Sequence, residues 1–169
     1  MNITFVNKDD EVIGYGSREE AIEKGIIHRI VRVFVFNSNG ELLIQKRSAT
    51  VHLPNKWDQS AAGHVDEGED YTAAAIRELK EEVGITASKL TAVTKFYTEE
   101  DDDSEVKKRF NEIYVLADYD GDVQIDTDEV SEYKWIDPTK LKNWIRNSPE
   151  YMTQGFIQTF NEYAKIKEL

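Results

Sequence analysis

The sequence predicts a single α/β (α+β) domain, an architecture that three observations indicate. The chain has 169 residues, which is enough for one domain with a buried core and too short for two ordinary ones. Hydrophobic residues make up 40% of the chain and aromatic residues 11%, so a folded chain is expected rather than a disordered one. Segments rich in β-branched and aromatic residues alternate with helical stretches at irregular intervals, which is typical of a layered domain.

The first elements are predicted within residues 1–26, as a hairpin and a short helix that pack on a main domain over residues 27–169. Two short extended runs, NITFVN and EVIGYG, are separated by KDD, as in a hairpin. The segment SREEAIEKG then reads as a brief helix. Ser17 can cap this helix, Glu20 can complete a capping box, and Gly25 can end it.

From His28 onward the pattern is that of strands. RIVRVFVFN and ELLIQKR are joined through a turn at residues 38–40, and RFNEIYVLADY and SEYKWID follow later in the chain. All four segments are rich in β-branched and aromatic residues and are bounded by turn formers. Helices are predicted over residues 70–83 and in the C-terminal region 138–169.

Two acidic segments are not interpreted as metal sites. The run EEDDD at 99–103 is predicted to be a solvated loop, because five adjacent acids cannot all converge on one ion. The segment DYDGDVQIDTDE places acids at four EF-hand positions, beginning at Asp118. The glycine that such a loop requires at its sixth position is Val123, so no calcium site is predicted.

Composition restricts the partners. Lys and Arg number 21 against 33 Asp and Glu, and the net charge of −12 argues against binding to a nucleic acid polymer or an anionic membrane. A small anionic substrate that cations accompany remains compatible with this charge. Because the chain has no cysteine, thiolate metal sites, disulfides and cysteine nucleophiles are excluded.

The N-terminal MNITFVNKDDEV lacks the features of a secretory signal, and the longest apolar run, IVRVFVF, is too short to span a membrane. We therefore expect a cytoplasmic protein. The sequence leaves the oligomeric state open and is compatible with a homodimer.

The helix predicted over 70–83 separates an apolar face from an acidic one. Asp70 stands at the N-cap position and Gly84 at the position of a C-terminal glycine cap. At about 100° per residue, one stripe and its small flanking residues face away from three glutamates. The stripe consists of Thr72, Ile76, Leu79 and Val83, flanked by Ala73 and Ala75; the glutamates are Glu78, Glu81 and Glu82.

This acidic face has two interpretations. It is what any solvated surface helix presents. However, the three carboxylates repel one another and lie in the C-terminal half of the helix, where the helix dipole disfavours anions. A bound divalent cation would remove both penalties, and hard oxygen ligands without His or Cys suit Mg²⁺ or Mn²⁺.

The residues around this helix carry a longer pattern at fixed spacing: Gly63, Glu69, Arg77-Glu78-Leu79, Glu81-Glu82 and Gly84-Ile85. With this pattern over 63–85, the sequence resembles the Nudix hydrolase family, whose Nudix box it matches in full. The resemblance implies an α/β/α sandwich around a mixed β-sheet. It also implies metal-dependent hydrolysis of a nucleoside diphosphate linked to another moiety, by water attack on phosphorus.

The resemblance further implies the roles of individual residues. Glu78, Glu81 and Glu82 would be metal ligands and hence catalytic, and Gly63 would offer its backbone carbonyl to the metal. Glu69 and Arg77 would pair to hold the loop on the helix. Metal ions suit this reaction because a diphosphate repels an incoming nucleophile until its charge is neutralised.

Outside the box the chain resembles the Nudix subgroup that is related to isopentenyl diphosphate isomerase, from about residue 10 to 160. The isomerase carries a catalytic cysteine at the position of Ala62, and its box loses acids that this sequence keeps. His64 and Glu112 match metal-binding positions of the isomerase, whereas Phe110 replaces a second glutamate. These departures favour hydrolysis over isomerisation. A catalytically silent binding module is a third interpretation.

Further candidates lie outside the box. Lys46 and Arg47 could reach a substrate phosphate or be a solvated strand end. Glu112 is ranked first as general base because it projects from a predicted strand. His64 is either a ligand or a hydrogen-bonded structural residue. The other base candidates are Glu129, Glu99 and Glu100, and the aromatic residues that could stack on a base or fill the core are Trp57, Phe96, Tyr97 and Tyr114.

Overall fold

The computed structural model describes residues 1–102 and 105–169, which contain nine strands and four α-helices. In chain order these are β1 Ile3–Val6, β2 Val12–Gly16, α1 Arg18–Lys24, β3 His28–Val35, β4 Leu42–Arg47, β5 Trp57–Asp58, β6 Ala61–His64, α2 Tyr71–Val83, β7 Thr91–Asp102, β8 Glu105–Leu116, β9 Val130–Ile136, α3 Pro138–Asn147 and α4 Gln154–Lys167. Within these ranges, no helix has the length and apolar character needed to cross a membrane.

The strands form two sheets. The larger sheet has six strands in the order β2-β1-β3-β8-β7, and β6 also pairs with β3. Its central pair, β3 and β8, is parallel and the other pairs are antiparallel, so the sheet is mixed. The smaller sheet is antiparallel, in the order β5-β4-β9.

Alternation along β3 divides the core between two helical layers. Val31, Val33 and Val35 join the cluster that packs against α2, which contributes Leu79 and Val83. On the other side, Phe34 and Ile113 join the cluster formed with α3 and α4. Because side chains alternate between the faces of a strand, one sheet supports both layers. The predicted single α/β domain with a mixed sheet between helices is confirmed.

The N-terminal hairpin and helix form as predicted. The Ser17 hydroxyl accepts a hydrogen bond from the Glu20 backbone N–H, and Gly25 ends α1 in the left-handed conformation with φ 63°. The Glu20 carboxylate accepts a bond from Lys24 at 2.8 Å, in place of the second bond of a capping box. The hairpin extends the large sheet, because β1 pairs with β3.

The acidic run at 99–103 is not the solvated loop that the sequence predicts. Residues 99–102 lie in β7, which pairs with β8, and residue 103 lies outside the described residues. Glu100 stands opposite Lys107, and Glu99 stands opposite Lys108. Opposite charges on paired strands stabilise the ladder, which explains why an acidic stretch can be a strand.

Other elements also differ from the prediction. β5, β6 and β7 were not expected, although the β-branched and aromatic residues of TAVTKFYT in β7 are a strand signal. The C-terminal region 138–169 is two helices, α3 and α4, with a 3₁₀ turn at Pro149–Tyr151 between them. Proline after Ser148 disfavours continuation of α3, because the residue before a proline avoids the helical conformation.

Helix α2 has the predicted ends but buries a different set of residues. The Asp70 carboxylate accepts from the Ala73 N–H at 2.8 Å, and Gly84 ends the helix with φ 67°. Thr72 and Ala73 are exposed, contrary to the predicted stripe, and Ala74 is buried instead. The buried face of the helix extends from Tyr71 at its start to Glu82 near its end.

Replacing Leu79 by alanine is expected to lower the free energy of unfolding by about 2–5 kcal/mol, because Leu79 is fully buried and the cavity left behind cannot collapse completely. Urea denaturation measures this change. Lys80→Ala is the matched control on the exposed face of α2, where the expected change is within about 0.5 kcal/mol. Equal effects of the two substitutions would contradict the packing described for α2.

Candidate active site

A fork between Arg77 and Glu69 joins helix α2 to the loop before it. Arg77 Nε donates to Glu69 Oε1 at 2.6 Å, and Nη2 donates to Oε2 at 2.9 Å. Nη2 also donates to the backbone carbonyl of His64 at 3.0 Å, at the end of β6. The Arg77 guanidinium lowers the pKa of Glu69. This bidentate pair holds the loop, the strand end and the helix in one arrangement.

Glu78 lies between Arg77 and the backbone of β6. Its Oε1 accepts from Arg77 Nη1 at 2.7 Å, and burial raises its pKa to about 7 although Arg77 opposes the shift. The carboxyl group of Glu78 occupies the space that a Cβ atom on Gly63 would need. Gly63 therefore allows the carboxylate to approach the strand backbone, and any larger residue there would displace it.

Glu82 is a buried carboxylate at the base of the site and is 9% exposed. Its Oε2 accepts from Gln45 Nε2 at 2.7 Å and from the Ala62 backbone N–H at 3.2 Å. Burial raises its pKa well above the ordinary value, and the neighbouring Glu78 and Asp58 raise it further. A carboxylate in this environment carries a large cost in its charged form, which a cation would offset.

Glu81 is exposed and reaches the same arginine. Its Oε2 accepts from Arg77 Nη1 at 3.2 Å, so one nitrogen stands between the carboxylates of Glu78 and Glu81. Among residues 1–102 and 105–169, no group of three His, Asp or Glu side chains is gathered closely enough to hold an ion. A positive charge, that of Arg77, nevertheless occupies the position between two of the predicted ligands.

These acids border a cavity of about 540 Å³. Glu78, Glu82 and Gly63 line one part of it, and Glu129 stands at its rim. Burial raises the pKa of Glu129, and Asp126 and Glu81 raise it further. The loop before β9 therefore lies near the box. The cavity can thus take a ligand of small-molecule size directly over the acidic residues of α2.

The two predicted phosphate-binding residues point in different directions. Arg47 lines the cavity, where its Nε donates to the His52 carbonyl at 2.7 Å and its Nη1 lies 3.4 Å from Asp58 Oδ2. Lys46 precedes it on β4 and faces the other side of the small sheet, with its Nζ 5.9 Å from the centre of the Trp57 ring. The alternation of a strand therefore brings only Arg47 to the site.

Glu112, ranked first as general base, is not brought to the cavity. It is on the face of β8 that packs towards α2, where its Oε2 accepts from the Tyr114 hydroxyl at 2.7 Å. Glu99 is exposed and accepts from the Tyr97 hydroxyl. Of the four predicted base candidates, Glu100 and Glu129 line the cavity.

His64 also lines the cavity, beside a second histidine. Its ring stacks on that of His28, with the centroids 5.4 Å apart. Burial lowers the pKa of both rings, and Arg109 lowers both further. The four aromatic candidates do not reach the cavity: Trp57 and Tyr114 are core residues, Phe96 packs against the core, and Tyr97 lies against Phe110.

Several residues of the cavity were missed by the sequence reasoning. These residues lie on four strands of the two sheets, which are far apart in sequence and meet only in the folded protein: Arg32 on β3, Gln45 on β4, Asp58 on β5 and Arg109 on β8. A charged residue inside the apolar run RIVRVFVF was a signal for Arg32, since a strand buried on both faces rarely carries an arginine without a reason.

Comparison with known proteins identifies one family for this chain. The family model for the NUDIX domain matches residues 26–156. Isopentenyl-diphosphate Delta-isomerase 2 of Photorhabdus laumondii is 33% identical over 169 residues, covering 98% of this chain and 95% of the relative. An uncharacterised Nudix hydrolase of Pseudomonas aeruginosa is 32% identical over 148 residues, covering 87% and 85% of the two chains.

Solved structures give the same result for the fold. The crystal structure of DR0079 from Deinococcus radiodurans superposes with a TM-score of 0.77 at 25% identity, over 96% of this chain and 98% of that one. A MutT protein from Methanosarcina mazei superposes with a TM-score of 0.65 at 22% identity, over 84% and 95% of the two chains. With the family model covering most of the chain, the protein belongs to the Nudix family.

Proposed function

We propose that this protein is a divalent-metal-dependent hydrolase that cleaves the diphosphate linkage of a small molecule, with a nucleoside diphosphate derivative as the substrate class. The observation that carries the proposal is the box geometry, in which the Glu69–Arg77 fork joins the loop to α2, Glu78 and Glu82 line the cavity, and Glu81 contacts Arg77. A silent binding module would have little use for buried carboxylates whose charged form is costly.

By ligand type the donor set fits Mg²⁺ or Mn²⁺, although the described residues do not gather three carboxylates closely enough to hold an ion and Arg77 Nη1 stands between Glu78 and Glu81. Glu78, Glu81, Glu82 and the backbone carbonyl of Gly63 would hold the ion, and all of them are hard oxygen ligands. The absence of a Cβ at Gly63 gives the Glu78 carboxylate its place beside this carbonyl. When bound, such an ion neutralises diphosphate charge and lowers the pKa of water.

The residues of the chain supply positioning and a proton acceptor. Gln45 and the Ala62 N–H orient the Glu82 carboxylate from the sheet side. Arg47 is placed to bind a phosphate oxygen of the substrate from β4. We assign the role of general base to Glu129 instead of Glu112, because it stands at the cavity rim near Glu81 and its raised pKa suits proton transfer.

Isomerisation is the second candidate, because several relatives that match most of this chain are named isopentenyl-diphosphate isomerases. The residues argue against it here. Ala62 stands where the resemblance places the cysteine, and the chain has none. His28, which stacks on His64, pairs in register with Arg109 of β8. Glu112 is on the other face of β8, so it does not come together with His64 as the resemblance would require.

A panel of nucleoside diphosphate derivatives, including ADP-ribose, NADH and diadenosine polyphosphates, tests the proposal with Mg²⁺ or Mn²⁺ and with excess EDTA. We expect metal-dependent cleavage that transfers one oxygen from ¹⁸O-labelled water to phosphate. Absence of cleavage across the panel, or cleavage that EDTA leaves unchanged, would refute the hydrolase assignment. Deuterium incorporation into isopentenyl diphosphate from D₂O would support isomerisation instead.

A further inference from the structure

A group of four cations lines the same cavity away from the box: Arg18 of α1, Arg32 of β3, and Lys107 and Arg109 of β8. We call this group the basic wall. Within the large sheet, β6 carries Gly63, β3 is its neighbour and β8 is the next strand. With strands about 4.8 Å apart, the β8 backbone is about 10 Å from that of β6. Lys107 and Arg109 are therefore about two strands away from β6, whereas Arg32 of β3 stands opposite Ala62 and interacts electrostatically with Glu82.

Acids offset part of the charge of the basic wall, and Asp58, Glu100 and Glu82 all act on Arg32. Arg109 Nη2 pairs with Glu100 at 2.6 Å, and Glu105 lies 3.0 Å from Lys107 and 3.9 Å from Arg18. Arg109 Nε is buried and has no hydrogen-bond partner among the described residues. A buried guanidinium nitrogen that makes no hydrogen bond destabilises the fold. We therefore expect a ligand in the cavity to provide the missing acceptor.

Arg32 is similarly short of partners. It is 7% exposed, and its Nε donates to Asn111 Oδ1 at 3.2 Å. Within residues 1–102 and 105–169, its two terminal nitrogens donate to no hydrogen bond. Burial lowers its pKa to about 10, and Arg109 contributes to the shift. Two buried guanidinium groups thus repel each other at one side of the cavity.

The start of helix α4 adds to the positive potential. A Cβ on Gly155 would lie 2.9 Å from both Nη atoms of Arg32, so the guanidinium lies directly against the first turn. Thr153 caps the helix by accepting from the Phe156 N–H at 3.1 Å. The N–H groups of Gln154 and Gly155 remain for a ligand, and the N-terminal end of a helix favours anions.

We propose that the basic wall is a subsite for a second phosphate group of the substrate, remote from the scissile diphosphate. This proposal rests on the proposed function. Arg32, Arg109 and the first N–H groups of α4 bind this phosphate, and Lys107 and Arg18 contribute charge. The substrate class is accordingly a diphosphate compound that carries an additional phosphomonoester on the moiety that enters the cavity.

Two matched pairs of compounds test the subsite: NADPH with NADH, and coenzyme A with 3′-dephospho-coenzyme A. Each pair differs by one phosphomonoester. We expect the wild-type protein to have a kcat/KM at least about tenfold higher for the phosphorylated member of a cleaved pair, because hydrogen bonds between charged groups are strong. Arg109→Gln should reduce this ratio about tenfold. Lys108→Gln, on the other face of β8, is the control and should preserve the ratio.

A binding measurement separates this inference from the hydrolase assignment. Inorganic phosphate, added without metal, should raise the melting temperature of the wild-type protein and of Lys108→Gln, and should raise that of Arg109→Gln much less. If phosphate stabilises all three proteins equally, or if the substrate ratio is the same in wild type and Arg109→Gln, the subsite is wrong. If no compound is cleaved but the phosphate effect depends on Arg109, the subsite stands and the hydrolase assignment fails.

Discussion

If Glu82 is a metal ligand as proposed, replacing it by glutamine is expected to reduce kcat/KM for metal-dependent diphosphate cleavage by at least about 100-fold, because the substitution removes the ligand's charge while keeping the size of the side chain. Glutamine can still accept from the Ala62 N–H, so the fold should persist. Steady-state kinetics at saturating Mg²⁺ measure the loss. Glu81→Gln should produce a loss in the same direction.

Glu67→Gln is the matched control for this experiment. Glu67 is an exposed glutamate in the loop before α2, where it accepts from Asn2 at 3.0 Å outside the cavity. The control should retain the wild-type rate. If Glu82→Gln retains more than about a tenth of that rate, Glu82 does not hold the metal and the assignment of the box is wrong.

The metal-free protein is expected to lose stability as the pH rises from about 4.5 to about 7, and Glu78 contributes about 3 kcal/mol to this loss. Burial raises the pKa of Glu78 to about 7 in the folded protein, whereas the unfolded chain has the ordinary value of 4.5. Between these pH values the folded state binds more protons than the unfolded state. The free energy of unfolding therefore falls as the pH rises through this interval.

Urea denaturation in EDTA at pH 5 and pH 8 measures this effect. The loss in free energy of unfolding caused by Glu78→Gln should be larger at pH 5 than at pH 8, by about 3 kcal/mol. Glu67→Gln should shift by the same small amount at both pH values. If Glu78→Gln lowers the free energy of unfolding equally at pH 5 and pH 8, burial of Glu78 is not the cause of the pH dependence.

Addition of Mg²⁺ at pH 8 should raise the melting temperature of the wild-type protein and should do so less in Glu78→Gln, because an ion that binds the folded state stabilises it. If Mg²⁺ and Mn²⁺ have no effect on the melting temperature of the wild type, the silent binding module is favoured over both enzymes.

The box could be predicted from the sequence because its parts are local. The caps at Asp70 and Gly84 follow from residue type, whereas the fork between Glu69 and Arg77 is what the family resemblance implies and the structure contains. These contacts span eight residues or fewer, so helix geometry and one loop determine them. The family resemblance then gives the carboxylates their expected roles, which remain predictions until they are tested.

The cavity could not be predicted because it depends on which face each strand presents. The sequence predicts that Glu112 projects from a strand, but it does not show from which face. That face depends on the pairing of β8 with β3, which joins residues about 80 positions apart. The same limit applies to Lys46 and Arg47, which are neighbours in sequence and point to opposite sides. Side-chain direction alternates with every residue, so a small error in register reverses the result.

This alternation along β8 bears on how activities could diverge within the family. Arg109 lines the cavity and Asn111 accepts from Arg32 on the same face of β8, while Phe110 and Glu112 face helix α2. A slip of β8 by one residue against β3 would exchange the two sets, because each residue would then present its side chain to the opposite face. A single insertion or deletion between β7 and β8 that caused such a slip would bring the Glu112 carboxylate to the face now occupied by Asn111. Evolution could change the chemistry of the pocket through indels in a distant hairpin, while leaving every residue of the box untouched.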